Sequence, residues 1–178
     1  MVWLWILLGI LLIFLALGLA GFETACVRRE LPPQALTEEY LRGTSRAKWA
    51  EDFAFSSDWF YAQKPQTLRV MSYDGKMLSA RFLPREDAKG TILLFHGYRS
   101  SGLLDFGPEL EFLHRQGYNL LLCDQRAHGA SQGRYMTFGV RERYDVLSWV
   151  TYLAQMLGAE HPMFLSGMSM GATTVLLA

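Results

Sequence analysis

The chain has 178 residues, with 17 acidic and 17 Lys or Arg side chains, so its formal net charge is zero. The basic residues form no run, which argues against a nucleic-acid surface built on clustered positive charge. Hydrophobic residues make up 51% of the chain. This share is enough for one globular domain and an additional apolar segment.

The apolar excess lies at the amino terminus. Residues 2–22 contain no charged side chain, and a helix of that length spans about 30 Å, the thickness of the hydrocarbon core of a bilayer. We therefore predict that residues 1–22 form a single-pass transmembrane helix, which contacts the lipid bilayer through residues 2–22. A cleaved signal peptide is the alternative, because Gly18-Leu19-Ala20 resembles a cleavage site, although no Lys or Arg precedes Arg28. A lipoprotein signal ending at Cys26 is disfavoured by Glu23.

The side of the membrane is indicated only by the charges that follow the span. The positive-inside rule favours a cytoplasmic domain, because basic residues are concentrated just after the apolar segment. The cysteines do not decide the compartment: Cys26 borders the membrane, and Cys123 lies in an apolar strand, where a free buried thiol is the usual state. The basic residues in question are Arg28, Arg29, Arg42, Arg46 and Lys48.

Residues 23–65 are predicted to be a helical connecting arm. Pro32-Pro33 ends any continuation of the first helix, Thr37 begins a short new one, and a further helix covers residues 45–62. This last helix has too many aromatic residues for a free linker. We expect them to pack against the next domain, and the alternative is that they lie at the lipid interface. They are Trp49, Phe53, Phe55, Trp59, Phe60 and Tyr61.

The pattern changes to strands in residues 66–178. Residues 67–73 and 76–83 alternate as strands do, and Asp74-Gly75 between them is a strong hairpin signal. Residues 91–95 and 119–123 are continuous apolar runs, typical of strands buried on both faces. A helical segment separates these two runs, so they form a parallel unit. The segment carries Phe106, Leu110 and Leu113 at helical spacing and ends at Gly117.

Another helix is predicted from about Gly139, before the last strand. Its proposed apolar face consists of Val140, Tyr144, Leu147, Thr151 and Ala154. Alternating strands and helices place the domain in the α/β class, with a mostly parallel sheet.

The last strand runs into Gly167-Met168-Ser169-Met170-Gly171, a Gly-x-Ser-x-Gly pattern. A serine on a tight turn between strand and helix adopts a strained backbone, and glycines two positions on either side avoid a Cβ clash. The N–H of Met170 would then point at a developing oxyanion. Without its flanking strand and helix, the pattern would more often be an ordinary turn.

Four motifs follow one another along the chain: Asp74-Gly75, His96-Gly97-Tyr98, Asp124-x-Arg126-x-His128-Gly129-x-Ser131 and the pattern around Ser169. In this order they resemble the α/β-hydrolase family, and the chain is most similar to its membrane-anchored bacterial serine hydrolases. The resemblance covers about residues 66–178 and implies that the five strands lie in the order 1-2-4-3-5.

The resemblance also implies roles for individual residues. Ser169 would be the nucleophile toward a small acyl substrate, the backbone N–H groups of Tyr98 and Met170 would form the oxyanion hole, and no metal or organic cofactor would be needed. His96 would be structural. Asp124, Arg126 and His128 would hold their loop, the alternative being that Asp124 orients His128 as a base. His114 and His161 are interpreted as surface residues.

The sequence departs from the family pattern after the serine. In this fold the acid and the base follow the nucleophile, but the nine residues after Ser169 include no Asp, Glu or His. We therefore expect the chain to be the front portion of a longer serine hydrolase of esters, thioesters or amides, inactive by itself, with its acid and base beyond Ala178. The alternative is a non-catalytic membrane-anchored fragment or pseudoenzyme that binds a partner.

Overall fold

A computed structural model describes residues 2–32 and 34–178. Pro33, one of the two prolines expected to interrupt the first helix, lies outside the described residues. The helices are α1 Val2–Cys26, α2 Glu38–Arg42, α3 Ala50–Ala62, α4 Gly102–Arg115, α5 Glu142–Leu157 and α6 Met170–Leu176, with a 3-10 turn at Ala47–Trp49 before α3. The strands are β1 Gln66–Met71, β2 Met77–Leu83, β3 Gly90–Phe95, β4 Tyr118–Asp124 and β5 Met163–Gly167.

The five strands form one sheet in the order β1-β2-β4-β3-β5. β1 and β2 form the predicted hairpin, and β2 pairs antiparallel with β4. β3 pairs in parallel with both β4 and β5. The expected α/β class and strand order are therefore confirmed, and β5 forms one edge of the described sheet with Phe164 and Leu165 exposed.

The core has two layers because successive side chains of a strand point to opposite faces of the sheet. In β3, Leu93 and Phe95 pack with Trp149 and Leu153 of α5. Leu94, between them in sequence, packs on the other face with Phe106, Leu110 and the arm residue Phe60. Both faces of β3 are thus buried, as its apolar run predicts.

The predicted apolar face of α5 is wrong. Val140, Tyr144 and Leu147 are exposed, whereas Asp145, Val146, Trp149 and Leu153 are buried, so the helix is rotated from the predicted orientation. Both faces carry apolar residues at helical spacing. The bulk of Trp149 and the partner available to Asp145 decide between them.

The start of α5 also differs from the prediction. Gly139 has φ +98°, which is not helical, and α5 begins at Glu142. The buried Glu142 carboxylate accepts hydrogen bonds from the N–H of Gly139 at 2.8 Å and from the N–H and hydroxyl of Thr137 at 2.7 and 2.6 Å. The carboxylate thus joins the loop of residues 137–139 to the first residue of α5.

The connecting arm packs against the domain through part of its aromatic set. Phe60 is fully buried, while Trp59 and Phe53 are partly buried against the α4 side of the sheet. Other aromatic residues of the arm stay exposed. These are Tyr40, Trp49, Phe55 and Tyr61.

Among the described residues, one helix, α1, is long and apolar enough to cross a membrane, and a signal sequence near an amino terminus would pass the same test. Its carboxyl end contacts the domain. Val27 forms a β-bridge with Tyr135, and the Arg28 guanidinium donates hydrogen bonds of 2.6 Å to the carbonyls of Gly129 and Ser131.

Candidate active site

Ser169 lies on the turn between β5 and α6. Its backbone has φ 51° and ψ −114°, and a non-glycine residue adopts this positive-φ conformation only under strain. Two hydrogen bonds hold the turn: Met168 N–H donates to Phe95 O at 3.0 Å, and Gly171 N–H donates to Met168 O at 2.8 Å. Ser169 is exposed, so its hydroxyl is accessible.

The two glycines flanking the serine lie where a side chain does not fit. A Cβ on Gly167 would come 2.3 Å from the backbone of Gly171, and one on Gly171 would come 1.9 Å from the carbonyl oxygen of Phe95. These contacts are with backbone atoms, which cannot rotate away. The glycines therefore allow α6 to pass directly over the ends of β5 and β3.

The turn after β3 lies beside the serine. A Cβ built on Gly97 would be 3.3 Å from the Cβ of Ser169, so Tyr98 follows a residue in contact with the serine turn. Among the residues that the structure describes, neither Tyr98 N–H nor Met170 N–H donates to a backbone carbonyl. Both predicted donors are thus on neighbouring turns.

Asp105, which sequence reasoning missed, holds the turn after β3. Its carboxylate accepts hydrogen bonds from Gly97 N–H and from the Ser100 hydroxyl, both at 2.6 Å. It also pairs with Arg46 of the arm at 3.2 Å. Asp105 lies in the first turn of α4, and only the preceding Ser101, a helix N-cap, could have drawn attention to this segment.

His96 and His128 are buried, and both rings have hydrogen-bond partners on each nitrogen. His96 Nε2 accepts from Gln125 N–H at 3.2 Å, and its Nδ1 pairs with Gly97 O at 2.8 Å. His128 Nε2 accepts from Arg99 N–H at 3.1 Å, and its Nδ1 pairs with Arg126 O at 3.0 Å. The two imidazoles are therefore neutral and connect the turn after β3 to the loop after β4.

This geometry disfavours His128 as a base oriented by Asp124. The Asp124 carboxylate instead accepts from Ala130 N–H at 2.9 Å, and burial raises the pKa of this carboxyl group. The other two histidines also have partners: His161 Nε2 is 2.9 Å from the Thr91 hydroxyl, and His114 Nε2 is 3.2 Å from Pro84 O.

Because His128 is buried in its neutral form, we expect the free energy of unfolding to decrease in acid. Burial, reinforced by the neighbouring His96, lowers the pKa of His128 from 6.5 to about 4. Between these values the unfolded chain binds more protons than the folded one, so stability decreases as the pH falls, by up to about 3 kcal/mol at pH 4. We expect His128→Gln to make this decrease shallower, as measured by denaturant unfolding from pH 7 to pH 4.

The matched control for this prediction is His114→Gln, at a half-buried position near the end of α4. It should leave the pH dependence of the unfolding free energy unchanged. Parallel pH profiles for the parent chain and His128→Gln would contradict the prediction.

Arg126 is the centre of a buried ion cluster behind the site. Its guanidinium makes two hydrogen bonds to Asp145 of α5, at 2.6 and 2.7 Å, and two to Asp74 in the hairpin turn, at 3.0 and 3.2 Å. Burial alone would lower the pKa of Arg126, but the bonds to the two carboxylates outweigh it and raise this pKa. The cluster joins the hairpin, the loop after β4 and α5.

The carboxyl end of α1 binds the same turn that carries the Tyr98 amide. The Tyr98 hydroxyl donates to Ala25 O at 2.9 Å, and the Arg99 guanidinium donates to Thr24 O. No pattern in the sequence indicated these contacts, because the partners are more than 70 residues apart.

Comparisons with known proteins agree with this geometry. A family model described as serine aminopeptidase, S33, matches residues 86–178. The uncharacterized protein YqkD of Bacillus subtilis is 32% identical over 94 residues, which cover 51% of this chain and 30% of that protein.

Solved structures show the same fold. The esterase Pf2001 of Pyrococcus furiosus is 30% identical with a TM-score of 0.59, covering 65% of this chain and 48% of the esterase. XC6422 of Xanthomonas campestris, an α/β serine hydrolase without a lid, is 20% identical with a TM-score of 0.50, covering 63% of this chain and 54% of that one.

The chain thus spans about half the length of the esterase and less than a third of YqkD. The family model nevertheless covers more than half of the chain, from the loop after β2 through α6, and includes both turns of the candidate site. The chain therefore belongs to the serine aminopeptidase S33 family of α/β hydrolases.

Proposed function

We propose that the whole protein is a membrane-attached serine hydrolase that cleaves an ester, thioester or amide. The observation that carries this proposal is Ser169, an exposed serine held at positive φ beside the turn of Gly97 and Tyr98. A strained, exposed hydroxyl next to unbonded backbone amides is the arrangement that acyl transfer requires.

The proposed reaction proceeds through an acyl-enzyme. Ser169 Oγ attacks the carbonyl carbon and loses its proton to a base, while the N–H groups of Tyr98 and Met170 bind the oxyanion. The bond to the leaving group then breaks, and the leaving group takes a proton. Water attacks the acyl-serine in the second half of the reaction and restores the hydroxyl. His96 and His128 are not assigned as the base, because their ring nitrogens already have partners.

Membrane attachment is supported by the length and character of α1. Its 25 residues reach a mean hydropathy of 2.8 in an 18-residue window, and the helix is largely exposed. An exposed helix of this kind would be unstable in water and is accommodated by a bilayer.

A fluorophosphonate probe tests both parts of the proposal on the whole protein, in the membrane and soluble fractions of the same cells. We expect the probe to label Ser169, as located by peptide mass mapping, in a membrane-bound band whose size includes α1. Ser169→Ala should lose the label, and Ser166→Ala, three positions away in β5, should keep it. An unlabelled Ser169 in a folded protein would rule out the hydrolase, and a labelled soluble band lacking α1 would rule out the anchor alone.

A further inference from the structure

We propose that Ser169 acts on a long acyl chain presented at the bilayer surface, and that a groove between α3 and α4 receives this chain. The inference rests on the proposed function and adds the class of substrate. We call this feature the acyl groove; it has a volume of about 430 Å³, and its apolar lining consists of Trp49, Phe53, Leu104, Pro108 and Met168.

The acyl groove reaches the residue next to the nucleophile. Met168 directly precedes Ser169, is 44% exposed and lines the groove. The arm contributes a wall formed by Trp49 and Phe53. These two residues lie outside residues 86–178, which the family model covers. This wall is therefore a feature of the arm of this chain.

The polar border of the groove lies at the oxyanion turn. Asp105 lines the groove and accepts the Gly97 N–H, while Arg46 pairs with Asp105. Glu109 of α4 completes the polar lining, at an exposed position. A neutral ester carries no charge for these side chains to repel. An ester carbonyl at the Tyr98 and Met170 amides would therefore direct its chain from Met168 toward Trp49.

The contacts of α1 place this site close to lipid. Thr24 and Ala25, which bind Arg99 and Tyr98, are two and three residues beyond Phe22. At about 1.5 Å per residue they lie about 3 to 5 Å past the hydrocarbon edge, within a headgroup layer of about 5 to 7 Å. The turn of Tyr98 and the neighbouring Ser169 are then at the depth where the ester groups of lipids lie.

Exposed aromatic residues around the site fit the same position. Tyr135 and Phe138 are exposed, with Tyr135 packed on Phe22 and Phe138 stacked on Tyr98. Trp49 in the acyl groove is 49% exposed. Aromatic side chains concentrate at membrane interfaces, where one edge is apolar and the other hydrated.

The proposed reaction is the same acyl transfer to Ser169, with a long-chain ester or thioester as the substrate. The bond between the acyl carbonyl carbon and the oxygen or sulfur of the leaving group breaks, the acyl chain is transferred to Ser169 Oγ, and water then releases it as a free fatty acid. The leaving alcohol or thiol takes up the proton that Ser169 lost.

The test compares two esters with the whole protein reconstituted in phosphatidylcholine vesicles. The value of kcat/KM is measured for p-nitrophenyl dodecanoate and for p-nitrophenyl acetate, and their ratio reports use of the groove. Trp49→Glu places a charge in the groove, and we expect it to lower the dodecanoate-to-acetate ratio about 10-fold, since a hydrophobic subsite discriminates by roughly that factor. Phe55→Glu is the matched control, because Phe55 is 64% exposed, in the middle of α3 and outside the groove. Its ratio should equal that of the parent protein.

The outcomes separate the two proposals. An equal ratio in the parent protein, Trp49→Glu and Phe55→Glu overturns the acyl groove but leaves the hydrolase standing. Absence of hydrolysis of both esters, together with absence of probe labelling at Ser169, overturns the proposed function and this inference with it. Thermal unfolding of each variant confirms that the fold is retained.

Discussion

Gly171→Ala is expected to prevent the strand–turn–helix segment from forming. The added Cβ would come 1.9 Å from Phe95 O and 2.7 Å from His96 O, and both atoms belong to the backbone of β3 and its turn. To relieve the clash, α6 must move away from the sheet, which separates Met170 from Tyr98. We expect a loss of more than about 3 kcal/mol of unfolding free energy, beyond ordinary overpacking, and loss of probe labelling at Ser169.

The control for this prediction is Gly43→Ala. Gly43 has φ −83°, and a Cβ there would meet only Tyr40 O, at an ordinary 3.4 Å. Its unfolding free energy, followed by tryptophan fluorescence in denaturant, should stay close to that of the parent chain. If Gly171→Ala were as stable as Gly43→Ala, the close approach of α6 to β3 would be wrong.

Arg126→Met is expected to cost about 3 to 5 kcal/mol of unfolding free energy, because it removes the cation of a buried ion cluster and leaves the carboxylates of Asp74 and Asp145 uncompensated. Asp145 is the residue most affected, since its side chain is only 6% exposed. Burial already raises its pKa, so without Arg126 it should become protonated on folding. The variant should therefore lose stability most at neutral pH and less in acid.

Two comparisons make the Arg126 prediction specific. Adding Asp145→Asn to Arg126→Met should recover part of the loss, because it removes the uncompensated charge. Arg42→Met should have a much smaller effect, although Arg42 also pairs with two carboxylates, Glu38 and Glu51, because those pairs are exposed to solvent. Equal losses for Arg42→Met and Arg126→Met would contradict the argument from burial.

Much of the fold could be predicted because its signals are local. The apolar runs of β3 and β4, the Asp74-Gly75 hairpin and the Gly-x-Ser-x-Gly turn each depend on residue types at a short fixed spacing. Such patterns indicate the backbone conformation directly. The sheet order then followed from the resemblance that four motifs carried together.

The prediction for α5 was wrong because two faces of this helix fit the sequence pattern equally well. α5 has apolar residues on two faces, and helical spacing cannot tell which one meets the sheet. Burial of Asp145 depends on Arg126, 19 residues away. A sequence pattern that treats Asp as polar and exposed therefore selects the wrong face.

The sequence alone determined the α/β class, the apolar segment at the amino terminus and the position of Ser169 between a strand and a helix, because each depends on neighbours within a few residues. Only the tertiary structure showed that Asp105 holds the turn after β3 and that the ring nitrogens of His96 and His128 already have hydrogen-bond partners. It also showed that the end of α1 binds Tyr98 and Arg99. These contacts join residues far apart in the chain. They form only after the sheet has brought separate loops to the carboxyl ends of its parallel strands.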